Sequence, residues 1–213
     1  DQIAIINRGE VVACEATADL LGRIDTRAVV VTPAVYPLYD PTNAPPEVLG
    51  PVPAAIDAVR QRGGLVIAQA NPQMPYTYGD AQLYDYEIDY LVEVDEPLAV
   101  KPAVTFTAET EQIGTRIADR ILDGSTLQLG IGAIPDSVLK SLTSRRGLRV
   151  WTEMFSDGVL NLHKHGCLDH DVPLTTSFLF GSQELYSWVN LNKRVRLMRT
   201  ERTNAPSEIA KQA

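Results

Sequence analysis

The chain has few cysteines, no excess of basic charge and no long apolar run, and each scarcity excludes something. Its two cysteines among 213 residues, Cys14 and Cys167, form no spaced framework, and a chain of this size needs no disulfide staple. Both read as reduced thiols, which favours a cytoplasmic setting. Lys and Arg number 19 against 27 Asp and Glu, for a net charge of -8. That balance opposes a broad electrostatic footprint on nucleic acid, so no nucleic-acid partner is expected, and an anionic ligand must be held by local dipoles. No window approaches the roughly eighteen uncharged apolar residues of a membrane span. The opening Asp1-Gln2-Ile3 lacks the basic and apolar regions of a secretory signal, so neither a membrane partner nor export is expected. The missing initiator Met and the ending Glu208 to Ala213 read as a piece of a longer chain. What is present, 45% hydrophobic and 22% charged residues, is the balance of a globular domain with a real core.

Strand-length apolar runs alternate with helix-period segments, which predicts an α/β fold with open, mostly parallel sheets and flanking helices. Ile113, Ile117 and Ile121 fall four apart and predict an amphipathic helix over 108–123, with Gly124 as its stop. Thr126 to Leu129 reads as a strand, Gly130-Ile131-Gly132 as a turn, and the segment after Pro135 as a helix carrying Val138, Leu139 and Leu142. Strands are expected at 148–152, 174–180 and 195–198, with a short helix capped by Ser156 or Asp157 and another over 184–189. In the first half, strands are expected at 28–32, 65–69 and 90–94 and a helix at 54–61. The proline-rich stretch 33–53 reads as a long surface loop. A domain boundary is placed near residue 105.

Some constellations bear chemistry. Gly130-Ile131-Gly132, between a strand and a helix, offers unpaired backbone N–H groups to an anion or a developing oxyanion, or merely permits a tight turn. Pro135 fills the place of the third glycine in the dinucleotide fingerprint, which argues against a classical NAD site. Glu153 closes a strand and so stands at the carboxyl edge of a parallel sheet, where ligands gather. Flanked by Trp151, Met154 and Phe155, it is either a partly desolvated nucleophile or base, or a solvent-facing strand end. Asn71-Pro72-Gln73-Met74-Pro75 follows another strand and is either a ligand-gripping loop or a rigid turn. His163, His165, Cys167 and His170 cluster in sequence but fit no standard ligand spacing, so no metal is expected. Arg145, Arg146 and Arg149 read as phosphate contacts or as a solvated face.

The run Leu129-Gly130-Ile131-Gly132-Ala133-Ile134-Pro135-Asp136, followed by Thr152-Glu153-Met154-Phe155-Ser156-Asp157-Gly158, resembles the acetyl-CoA hydrolase/4-hydroxybutyrate CoA-transferase family of class I CoA transferases. Asn71 to Pro75 with Gly79-Asp80, and Ile88-Asp89 with Glu93, resemble its other recurrent segment. The resemblance implies two open α/β domains. Residues 1–105 would be the C-terminal part of the first, and 106–213 the N-terminal part of the second, which carries the catalytic glutamate. It implies Glu153 as nucleophile, Gly130, Ile131, Gly132 and Ala133 as the CoA and oxyanion loop, and Asn71, Gln73 and Met74 as the substrate wall. Coenzyme A is then a substrate, and no separate cofactor is implied. The implied activity is CoA transfer between an acyl-CoA and a small carboxylate through a glutamyl-CoA thioester, or acyl-CoA hydrolysis in the same site. The implied assembly is a homodimer or a complementing chain that supplies the family's later Gly-Gly-Gln portion. The alternative is a binding module that holds CoA or a sugar phosphate without turnover.

Overall fold

Val66–Ala70 (β4) is an almost wholly buried apolar run, and such a run needs hydrogen-bonded neighbours on both edges and cover on both faces. In the computed structural model, which describes residues 2–7, 10–16, 29–31, 52–80, 83–101, 104–130 and 132–212, Val29–Val31 (β3) and Tyr90–Glu93 (β6) flank it in parallel. Gln2–Asn7 (β1) and Glu10–Ala16 (β2) form an antiparallel hairpin that continues the sheet, in the order β2-β1-β6-β4-β3. No strand is expected there from the sequence alone. The helix Val52–Gln61 (α1) follows β3 and precedes β4, and its Ile56 packs on Val66, Ala68 and Leu83. The loop expected over 33–53 lies outside the described residues except for its last two, which open α1.

The chain divides into two compact units, residues 1–76 with 81–98, and 77–80 with 99–213. The second unit holds Tyr78–Gly79 (β5) as well as Ala108–Ala118 (α2), Thr126–Leu127 (β7), Ala133–Ser141 (α3), Arg149–Val150 (β8) and Met154–Phe155 (β9). After these come Asp157–Lys164 (α4), Leu174–Thr176 (β10), Phe178–Leu179 (β11), Gln183–Val189 (α5), Val195–Leu197 (β12), Thr200–Thr203 (α6) and Pro206–Ala210 (α7). Among the described residues every strand pairing here is parallel: β7 with β8, β10 with β12, β12 with β5, and β9 with β11. A bridge from Trp151 to Thr175 links the β8 and β10 lines. The strand expected over 174–180 is therefore broken at Ser177, and the line from 148 to 155 is broken at the same level, around Glu153.

The helix expected over 108–123 ends at Ala118, and its apolar stripe does not face the core. Ile113 and Ile117 are 40% and 41% exposed, whereas Gly114 and Ala118 are buried. The reason is a close helix contact. A side chain at Gly114 would collide with Ser137 of α3, and the Ser137 hydroxyl donates to the carbonyl of Thr110 at 3.0 Å. Small residues let the two backbones approach, and that surface takes precedence over the branched stripe. Among the described residues no helix is long and apolar enough to cross a membrane.

Candidate active site

The two motifs singled out in the sequence meet through backbone and hydroxyl contacts. β7 and β8 run in parallel, and the ladder reaches Trp151, whose N–H donates to the Leu127 carbonyl at 3.0 Å. Beyond that point the buried hydroxyl of Thr152 takes over. It accepts from the Leu129 N–H at 3.0 Å and has the carbonyls of Leu129 and Met154 as acceptors, each at 3.1 Å. The two-glycine bend and Glu153 thus leave the same edge of the sheet, on adjacent strands.

Glu153 sits in the break between Trp151 and β9. Its carbonyl accepts from the backbone N–H groups of Ser177 (2.9 Å) and Phe178 (3.0 Å), with the buried Thr176 hydroxyl donating at 3.0 Å. Its main chain is therefore held from the neighbouring strand line, while its half-buried side chain has no hydrogen-bond or ion-pair partner among the described residues. Met154 and Phe155 beside it are buried, and Trp151 is half-buried with its indole N–H donating to the Thr203 carbonyl.

At the bend, Gly132 has φ +116°, a conformation that a side chain would strain, and it stands as the N-cap of α3. Pro135 falls in the first turn, where its missing N–H costs no intrahelical bond. The N–H of Ala133 and that of Ile134 are first-turn donors that no intrahelical carbonyl can reach. Ile131 lies outside the described residues.

The rest of the second motif has a structural purpose. The Ser156 hydroxyl donates to Asp136 of α3 at 3.2 Å, and Asp136 forms an ion pair with Lys101 at 2.6 Å, both side chains largely buried. Ser156 is the N-cap of α4, as expected, but its side chain turns to Asp136 instead of the helix amides. The Asp157 carboxylate accepts from the N–H and hydroxyl of Ser182, the N-cap of α5. Gly158 leaves room for Leu139. Tyr186 closes the circuit, donating to the Ala99 carbonyl at 2.9 Å; burial and the nearby Asp157 charge push its phenol above the ordinary value, against the backbone bond from Gly181. Sequence reading missed Lys101, Asp136, Ser182 and Tyr186, which have no shared period; Asp136, inside the first motif, was the only visible hint.

In the first unit, Asn71 is buried and holds its own turn. Its amide donates to the Glu96 carbonyl at 2.8 Å, and its side-chain oxygen accepts from the Gln73 N–H at 3.0 Å. Gln73 is exposed and donates to Asp95 at 2.7 Å, while Met74 is half-buried. The arginines hold carbonyls: Arg145 that of Ala118, Arg146 that of Thr143, and Arg149 that of Gly124. His163 lies tilted against Trp188 with ring centroids 4.8 Å apart, and among the described residues no group of three or more His, Cys, Asp or Glu is arranged to hold a metal. An open groove of about 380 Å³ lined by Asp80, Arg199, Glu201 and Arg202 includes neither Glu153 nor the bend.

Open, mostly parallel α/β sheets arranged in this way define a fold of the CoA-transferase class. The solved 4-hydroxybutyrate CoA-transferase from Porphyromonas gingivalis superposes with a TM-score of 0.76 at 31% identity, covering 86% of this chain and 47% of that one. The chain is 40% identical over 153 residues to the 4-hydroxybutyrate coenzyme A transferase of Clostridium kluyveri, a match taking in 69% of this chain and 36% of the relative. It is 36% identical over 152 residues to the succinyl-CoA:cyclohexane-1-carboxylate CoA transferase of Geobacter metallireducens, covering 68% and 35%. The resemblance carried by the two motifs is borne out, and the chain is a relative of the 4-hydroxybutyrate CoA transferases. It spans about a third of the length of the curated relatives it matches. No protein-family model matches it.

Proposed function

We propose that the chain carries the nucleophile of a CoA transferase that moves CoA between an acyl-CoA and a small carboxylic acid. A Glu153 oxygen attacks the thioester carbonyl, the C–S bond breaks, and CoA thiolate leaves an acyl-glutamyl anhydride. The thiolate then attacks the glutamyl carbonyl, releasing the first acid and forming a glutamyl-CoA thioester. An incoming carboxylate reverses both steps and departs as the new acyl-CoA, restoring Glu153. Water in place of that carboxylate gives hydrolysis in the same site.

The observation that carries this reading is the shared sheet edge, where the Thr152 hydroxyl ties the bend's leading residue to the turn that bears Glu153. Carboxylates are poor nucleophiles in water. A half-buried carboxylate whose main chain is clamped is better placed to react, and first-turn amides of α3 are suited to an oxyanion. Binding energy from the CoA moiety, remote from the reacting carbonyl, can drive the approach. We place the reaction in the cytoplasm, in keeping with the free, buried thiol of Cys167. The reading also includes a homodimer or a complementing chain, which sedimentation of the chain alone checks.

The test is incubation with acetyl-CoA followed by hydroxylamine, with peptide mass spectrometry at Glu153. A hydroxamate at that residue is expected, and Glu153→Ala abolishes CoA exchange between acetyl-CoA and butyrate with CoA affinity changed by no more than about twofold. Exchange as fast in Glu153→Ala as in the parent overturns the mechanism. CoA binding without adduct or exchange leaves a binding module.

A further inference from the structure

We propose that Thr152 is the positioning residue that fixes the two-glycine bend against Glu153, an assignment that rests on the Glu153 reading above. The bonds between parallel strands are evenly spaced. The β7–β8 ladder runs from the Arg149 N–H on the Ser125 carbonyl to the Trp151 N–H on the Leu127 carbonyl. At the next rung the Leu129 N–H meets the Thr152 hydroxyl, a side chain in the place of a strand carbonyl. The ladder therefore stops where the chain must turn outward, yet the two strands stay joined.

Thr152 is 0% exposed, so its hydroxyl is kept out of water only by the contacts it makes. A buried hydroxyl without partners is unfavourable, and valine would fill the same space without that penalty. This hydroxyl instead serves three backbone groups: it accepts from the Leu129 N–H and donates toward the carbonyl of Leu129 or Met154. Leu129 leads into the bend and Met154 follows the nucleophile. The Thr176 hydroxyl on the Glu153 carbonyl is the counterpart from the other side, locking the Glu153 backbone to β10 and β11 without reaching the bend. Thr152 thus sets the separation between the group that attacks and the amides that receive the oxyanion. It touches no reacting atom and acts through the two segments it joins.

The experiment compares Thr152→Val, which keeps the shape and removes the hydroxyl, with Thr152→Ser, which keeps the hydroxyl and removes the methyl. Steady-state exchange between acetyl-CoA and butyrate is measured beside Glu153→Ala, with circular dichroism and CoA affinity as checks on folding. Misplacement by about an ångström can cost on the order of a hundredfold, so Thr152→Val is expected to lower kcat by roughly ten- to a hundredfold with KM for acetyl-CoA nearly unchanged. Thr152→Ser is expected to stay within about threefold of the parent. Parental kcat in Thr152→Val, or an equal loss in Thr152→Ser, overturns the assignment. If Thr152→Val does not fold, Thr152→Ser decides alone: near-parental turnover supports the hydroxyl, and collapse overturns it. If the parent turns over no faster than Glu153→Ala, the Glu153 reading has failed. The positional claim is then decided by carbodiimide labelling of Glu153 against the exposed Glu109. A changed rate at Glu153 alone in Thr152→Val supports it, and unchanged rates at both overturn it.

Discussion

Gly158 is the second residue of α4, and a methyl group built there would run into the side chain of Leu139, itself 1% exposed in α3. The Cβ and Cγ of Leu139 stand at 3.0 and 3.2 Å from that position, so moving the tip of the leucine does not relieve the contact. Alanine improves helix propensity by up to about 1 kcal/mol, while overpacking a filled site costs roughly 1–3 kcal/mol. Gly158→Ala is therefore expected to lose about 1 kcal/mol net in urea unfolding. Adding Leu139→Val shortens the opposing side chain, so the double variant should lose less than the sum of the two single changes. Strict additivity would mean that the collision is absent in solution.

At the scale of elements, the second unit is joined by a few polar contacts between helix starts and strand ends. Asp136 in the first turn of α3 takes the ammonium of Lys101 on one oxygen and the hydroxyl of Ser156 on the other. Asp136→Asn keeps the shape but leaves Lys101, only 16% exposed, without its counter-charge, an expected loss of roughly 2 kcal/mol in thermal unfolding. The double variant with Lys101→Met should recover part of that loss, because removing both charges also removes the desolvation cost. Much of this layout was legible beforehand. The order strand, glycine turn, helix around 126–141 came from apolar period and glycine position, and the strands near 66, 90 and 195 from short buried runs. Less legible was what depends on two surfaces meeting. Nothing in the spacing of Ile113 and Ile117 says that Gly114 and Ala118 will be the buried face. Nor does the run from 174 to 180 reveal that it breaks at Ser177 to clamp the carbonyl of Glu153. The candidate site was readable as two motifs, but the hydroxyl that joins them was not, because a threonine in a strand is ordinary on propensity alone.

At the scale of the whole molecule, acid stability has a specific contributor in His163. The ring lies on α4 against Trp188 of α5, and its Nδ1 is buried with no partner among the described residues. Burial first, and then the positive charges of Arg194 and His170, lower its affinity for a proton below the ordinary value near 6.5. The folded chain therefore binds fewer protons at this residue than the unfolded chain does, and stability rises with pH wherever the two differ. Read downward, His163 costs nothing above the unfolded value. As the pH falls below about 6.5, protonation of the unfolded chain draws the equilibrium away from the fold, until the folded ring is protonated too. His163→Phe keeps an aromatic ring against Trp188 and removes the titration. Urea unfolding of parent and variant at a series of pH values should give stability curves that run parallel at and above neutrality. Below that, the curves should separate, with the parent falling more steeply. Equal slopes on the acid side would assign the acid sensitivity to the carboxylates and leave His163 as a packing residue only.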